Sequence, residues 1–347
     1  MPDISPIDPA YPLCDLHRHL DGSLRLQTVL ELAEQHGVRL PATTVEGLRP
    51  FVQVVGAEAG LMAFIGKFHY LTEVLVDLHA CQRVARENVE DALREGIDYI
   101  ELRFSPWFMA QAHHLDPAGV VEAVIDGARA GQAATGVQAR LIGIISRTYG
   151  PATGLRELDA ILCHRDGITA LDLAGDEQNF PAHLFRRHFS RARDAGLRLT
   201  VHAGEAAGPA SVWSAIEDLG AERIGHGIHA VEDVRLMDAL AERGIGLEVC
   251  LTSNLHTRCV PDYASHPARR ILQHGVLMNL NTDDPGISGI DLAHEYQQAA
   301  PAAGLDAAMS RQAQYNALAM AFIDAAGRDE LKRHKQASAR IGLCSDR

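Results

Sequence analysis

The chain has 347 residues, 47% of them hydrophobic and 22% charged, with a net charge of -13 at pH 7, a pI near 5.7 and a mean hydropathy of -0.06. That is enough apolar material for a substantial core. The acidic balance disfavours nucleic acid or an anionic membrane as partner, because both are met by clustered Lys and Arg, and leaves a neutral or cationic small molecule as the better fit.

The opening ten residues have neither a basic start nor a signal-like apolar stretch, and no uncharged run approaches about 18 residues, so a cytoplasmic location is expected. Six cysteines (Cys14, Cys81, Cys163, Cys250, Cys259 and Cys344) are scattered without a Cys-x-x-Cys pair and read as reduced structural thiols. No repeat, low-complexity tract or linker divides the chain, which predicts one domain over residues 1–347.

In chain order, the first strand-like run spans 13–19 and leads into Cys14-Asp15-Leu16-His17-Arg18-His19-Leu20-Asp21-Gly22. Alternate side chains of a strand share a face, so His17 and His19 project together. Taken alone, the pair is compatible with a metal site and equally with one core and one surface histidine. Residues 43–80 are more than a single connecting helix needs, which predicts extra helices between the first and second strands. Within them Leu61, Phe64, Ile65 and Phe68 recur at helical spacing.

Seven further β-branched-rich runs follow at 97–105, 138–146, 168–174, 197–202, 223–227, 246–252 and 275–281. Apart from the lean sixth of the eight runs, they have the continuous apolar character of strands buried on both faces. Amphipathic stretches separate them. Val120, Val121, Val124, Ile125 and Ala128 form one stripe, ending near Gly131; Leu236, Leu240 and Ala241 form another, ending near Gly244. Eight strand-helix alternations predict an α/β fold, a (β/α)8 TIM barrel. A doubly wound open sheet is the alternative, and the missing Gly-x-Gly-x-x-Gly after the first strand counts against it.

The barrel reading gives the polar motifs one location. His17, His19, His202, His226 and Asp283 all fall at or just past the C-terminal ends of strands, the rim on which such barrels build active sites. Three histidines and a carboxylate, His17, His19, His202 and Asp283, suit zinc, with water in the open position. Glu205 follows His202 past a small-residue turn and is placed to act on substrate; it would serve equally as an N-cap of the next helix. His226, between Gly225 and Gly227, is compatible with orienting or deprotonating the attacking water, and with a core role. Asp284 diverges from Asp283 toward substrate or water, and also suits a turn with Pro285.

These segments, together with Asp172-Leu173-Ala174-Gly175-Asp176-Glu177 and Thr252-Ser253-Asn254, resemble the motifs of the adenosine deaminase family in their order, most closely the bacterial members. The resemblance implies a zinc enzyme with one Zn2+ per chain, cytoplasmic and active in purine salvage. It would convert adenosine and 2'-deoxyadenosine to inosine and 2'-deoxyinosine with loss of ammonia. It assigns His17, His19, His202 and Asp283 to the metal, Glu205 to proton donation at purine N1, and His226 to orienting hydroxide. Asp284 would meet N7 and the water, Gly175 would meet N3, and His19 and Asp21 would reach the ribose. It also implies an apolar lid over the pocket where Leu61 to Phe68 lie. Arg18 is less apolar than the residue often found there. The alternatives are a deaminase of adenine or another aminated purine, and a catalytically silent purine-binding protein. The Pro-Cys-x-x-Cys of nucleic-acid base deaminases is absent.

Overall fold

Buried strands separated by helices, among them those capped by Asp77, Asp116 and Asp233, wind into eight parallel strands in the computed structural model, which describes residues 5–54 and 60–345 and side chains as far as 338. The strands are β1 (Cys14–His19), β2 (Tyr99–Phe104), β3 (Gln138–Ser146), β4 (Ala170–Ala174), β5 (Arg198–Ala203), β6 (Arg223–His226), β7 (Gly246–Val249) and β8 (Met278–Leu280). Each pairs in parallel with the next in sequence. The ends meet through a parallel bridge of Arg18 with Asp283, in which His19 donates its N–H to the Asp283 carbonyl at 2.7 Å and Asp283 donates to the His17 carbonyl at 2.8 Å. The result is the expected (β/α)8 barrel, and its seam runs through the residues singled out above.

The connection from β1 to β2 holds the extra helices, Val45–Val52, Leu61–Ile65 and His69–Glu73 among them, before the long Leu78–Arg94 helix. Three expectations about ends need correction. The stripe from Val120 belongs to the Pro117–Thr135 helix, which ends at the left-handed Gly136, not at Gly131. Gly131 sits inside it at a close helix crossing, where a Cβ would lie 2.7 Å from Cβ of Val89. Thr252 is not in a strand: the chain turns at Cys250 into the Leu251–His256 helix. Gly275 is the left-handed cap of the Ala268–His274 helix, so β8 is only three residues long.

The barrel interior is less apolar than the runs suggested. Arg103 donates to Asp172 at 2.8 Å and to Glu248 at 2.6 Å, while Arg223 donates to Glu248 and Glu101 and stacks 3.6 Å from the centre of the Phe322 ring. These ions are fully or almost fully buried, and each is matched by an opposite charge, the condition for keeping charge out of water. Arg18, the less apolar residue of the first motif, is buried too, donating to Glu95 and to the Thr282 hydroxyl. Cys14, Cys81, Cys163, Cys250 and Cys259 are free thiols; the side chain of Cys344 and residues 1–4 of the opening segment lie outside what is described. Among the described residues no helix is long and apolar enough to cross a membrane.

Candidate active site

Strands β1, β5 and β6 and the turn after β8 aim their ends at one point. Nε2 of His17 lies 3.2 Å from Asp283 Oδ1, Nε2 of His19 lies 3.3 Å from the same oxygen and 3.2 Å from His202 Nε2, and Nε2 of His226 lies 3.7 Å from Asp283 Oδ2. Ligand atoms of His17, His202, His226 and Asp283 fall within 4.8 Å of one another, the arrangement that can hold a metal ion among the described residues. Asp283 and His226 both sit at positive φ, 59° and 60°. Non-glycine residues pay for that backbone conformation, and such strain gathers at functional sites.

The rings are held from behind. Nδ1 of His17 lies 2.8 Å from Glu248 Oε2, and Nδ1 of His202 lies 3.1 Å from Asp172 Oδ1. Despite the penalty of burial, Arg103 and Arg223 hold Glu248 well below the usual carboxylate range, and His202 and Arg103 do the same for Asp172. Ionised carboxylates only accept, so each ring donates Nδ1–H and turns an Nε2 lone pair toward the centre. His17 Nε2 is buried with no hydrogen-bond partner. Nitrogen lone pairs converging with a carboxylate suit a borderline divalent cation such as zinc. Asp283 fits that role: burial alone would lift its pKa, but His17 and His226 hold it well below normal.

Above the cluster, the other expected residues line one pocket of about 120 Å³: His19, Asp21, Gly175, Glu205, His226 and Asp284 are all in its wall, with His202 and Asp283. His17 lies beneath it, fully buried. Burial, then the nearby charges of Asp283 and Glu177, push Glu205 well above the usual carboxylate range. Burial and the neighbouring Asp283 do the same for Asp284, and burial raises Asp21 to about 7. Glu205, Asp284 and Asp21 are thus shifted toward the neutral form beside Asp283, which is shifted toward the ionised one, the pattern of groups with separate tasks. Asp21 Oδ1 and Asp284 Oδ1 are buried without partners.

Glu205 is not a helix cap. The helix after it is Pro209–Ser214 with Gly208 as N-cap, and the capping work in this loop is done by Glu177. Its carboxylate accepts the backbone N–H groups of Gly204 (2.6 Å), Glu205 (3.2 Å), Ala206 (2.8 Å) and Ala207 (3.0 Å). The loop after β4, which carries Gly175, is thereby tied to the loop that carries Glu205. Two glycines are required by close approach. A Cβ on Gly22 would fall 1.8 Å from Asp284 Oδ1, and Gly175, at φ 106°, has Thr148 Oγ1 only 2.5 Å from where its Cβ would stand.

Leu61, Phe64, Ile65 and Phe68 do face the pocket, with Phe108 and Tyr149 beside them. Ser105 and Ser146, which sequence reasoning missed, line one side, and both donate to the buried Glu157, Ser105 through its hydroxyl at 2.6 Å and Ser146 through its N–H at 2.8 Å; burial raises Glu157 to about 8. Ser105 and Ser146 end strand-like runs, which was the one signal available for them.

The adenosine deaminase family model matches residues 12–336. The chain is 58% identical over 330 residues to the adenosine deaminase of Edwardsiella ictaluri, covering 95% of this chain and 99% of that one. It is 59% identical over 319 residues to an Escherichia coli adenosine deaminase, covering 92% and 96%. Among solved structures, it resembles an adenine deaminase from Arthrobacter aurescens (TM-score 0.88, 26% identity, 95% and 99% covered). It also resembles an amidohydrolase from Burkholderia ambifaria with bound Zn (TM-score 0.83, 25% identity, 97% and 92% covered).

Proposed function

The chain belongs to the adenosine deaminase family, and from that premise we infer that it hydrolyses adenosine and 2'-deoxyadenosine at purine C6, giving inosine or 2'-deoxyinosine and ammonia. The observation that carries this reading is a buried carboxyl, Glu205, kept neutral at the edge of a His and Asp cluster in one pocket. Purine N1, N3 and N7 are all acceptors, so the protein has to bring donors to them. Protonated Glu205 donates to N1 and draws electron density from C6. The Gly175 N–H meets N3, and protonated Asp284 meets N7. Asp21 and His19 reach the ribose, and among the described residues no Lys or Arg lines the pocket, in keeping with a neutral nucleoside.

His17, His19, His202 and Asp283 would hold one zinc ion, a reading supported by their converging donor atoms and by the zinc in the Burkholderia ambifaria relative. When bound, zinc lowers the pKa of a coordinated water from about 15.7 toward roughly 7 and so supplies hydroxide at neutral pH. His226 orients the attacking oxygen and stabilises the charge that develops during attack. The apolar roof keeps competing water out.

The test is loss of adenosine absorbance on incubation with the purified protein, with adenine, AMP and cytidine as controls. About one zinc per chain is expected, and a strong chelator should abolish turnover. Full activity in metal-free protein would sink the mechanism, and faster turnover of adenine than of adenosine would replace the substrate. His202→Ala should deplete zinc, whereas His226→Ala should leave it largely in place and still cripple turnover. Equal zinc loss in both variants would make His226 a ligand.

A further inference from the structure

The groups behind the Nδ1 atoms of the three buried imidazoles differ. Carboxylates stand behind His17 and His202. Behind His226 is the amide of Asn254, 3.1 Å from Nδ1. Asn254 lies in turn 3.2 Å from Nε2 of His266, and His266 Nδ1 receives the backbone N–H of Ala268 at 3.1 Å. All three side chains are buried, at 0% to 4% exposure.

The direction of this chain of hydrogen bonds is set at its far end. A backbone N–H is a donor only, so His266 Nδ1 is the bare nitrogen and the neutral ring carries its proton on Nε2. Burial pushes His266 down to about 3, which keeps it neutral near pH 7. Its Nε2–H therefore donates to Asn254 and turns the amide so that oxygen faces His266 and NH2 faces His226. An NH2 also donates only, so His226 Nδ1 is an acceptor and its proton sits on Nε2.

Resting on the deaminase reading above, we propose that Asn254 and His266 are positioning residues that hold His226 as the Nε2–H tautomer, so that it offers the reacting centre a hydrogen-bond donor and not a base. The opposite end of the ring agrees. His226 Nε2 faces the ionised Asp283 carboxylate, 3.7 Å from Oδ2, beside which an N–H is favoured over a lone pair. The tautomer also separates His226 from the ligands. It lies within reach of the metal position, but its inward nitrogen has no lone pair to give, whereas His17 and His202, backed by carboxylates, turn theirs inward. His226 thus stabilises negative charge on the attacking oxygen and takes no proton from it.

The zinc-loaded enzyme labelled with 15N-histidine reads the tautomer directly in long-range proton–nitrogen correlation spectra, the His226 signals being assigned by their loss in His226→Gln. A protonated Nε2 with a bare Nδ1 is expected; a protonated Nδ1 with a bare Nε2 overturns the proposal. Asn254→Asp replaces the donor by an acceptor and should move a proton onto Nδ1. It should lower kcat by roughly 100-fold to 1,000-fold, the usual cost of losing one preorganised donor, with KM and zinc content within a few-fold of wild type. His266→Gln preserves the direction, since its oxygen can accept from Ala268 while its NH2 donates to Asn254, and should keep both the tautomer and turnover within a few-fold. A switched tautomer with wild-type kcat in Asn254→Asp would overturn the role. The spectrum reports the tautomer whether or not adenosine is turned over, so failure of the substrate reading shows separately, as an inert wild-type protein.

Discussion

The floor and the roof of the pocket are made of different materials. On the floor, strand ends present ionisable groups that other charges hold in place: His17 on Glu248, His202 on Asp172, and both carboxylates on Arg103. The roof is Leu61, Phe64, Ile65 and Phe68 on the short segment from Leu61–Ile65 to Gly66–Phe68, joined to the rest by apolar contact and the edge-on packing of Phe64, Phe68 and Phe108. Directional bonds fix atoms to fractions of an ångström, whereas apolar packing fixes a surface. The proposed chemistry is therefore placed on the floor, and the roof is expected to act on substrate binding.

The hardest test of that division is Glu205→Gln, which keeps shape and a hydrogen-bond donor but cannot release a proton. Turnover should fall by at least the roughly 100-fold to 10,000-fold typical of a lost general acid, with zinc retained and a ground-state purine analogue bound nearly as well. A variant within a few-fold of wild type would take proton donation away from the floor. Gly22→Ala comes next. Its methyl group would land on the Asp284 carboxylate and shift it by the order of an ångström, so kcat/KM should fall about 100-fold while zinc content stays constant. Unchanged kcat/KM would mean that Asp284 has freedom the packing does not suggest. The smallest effect is expected on the roof: Ile65→Ala should raise KM about 5-fold to 30-fold, from roughly 1 to 2 kcal/mol of lost apolar contact, and leave kcat within a factor of about two. A parallel fall in kcat would show that the roof also shapes the reacting geometry.

The clustering of polar groups at the floor was legible in the sequence because ligand-type residues recur where strands end. His17-Arg18-His19, His202, His226 and Asp283 each interrupt an apolar run at its C-terminal edge, and the barrel rule carries them to one rim. The ions beneath were not legible. Arg103 and Glu248 lie 145 residues apart, and within their own strands each is only a polar break in an apolar run; pairing appears only when the sheet closes. Glu177 was quoted in a motif, yet its grip on the Glu205 loop depends on the proximity of β4 and β5, which local pattern does not encode. Gly131 was misread as a helix end because a glycine at a tight helix crossing and a glycine at a helix terminus look alike without a neighbour. Phe64 and Phe68 read correctly as a helical stripe, while the pocket they face was invisible from spacing alone.

The seam between β1 and β8 has a consequence in time. His17 and His19 are made near the start of synthesis, and Asp283, which bridges to them through both backbone and side chain, is made near its end. At the roughly 5 to 20 residues per second of translation, the first histidines wait on the order of tens of seconds for their carboxylate. During that interval the two histidines have neither the backbone bridge nor the carboxylate that they meet in the closed barrel. Their mutual placement is therefore completed by the closing strand, and a chain stalled before Asp283 would carry both histidines without the group that brings them together.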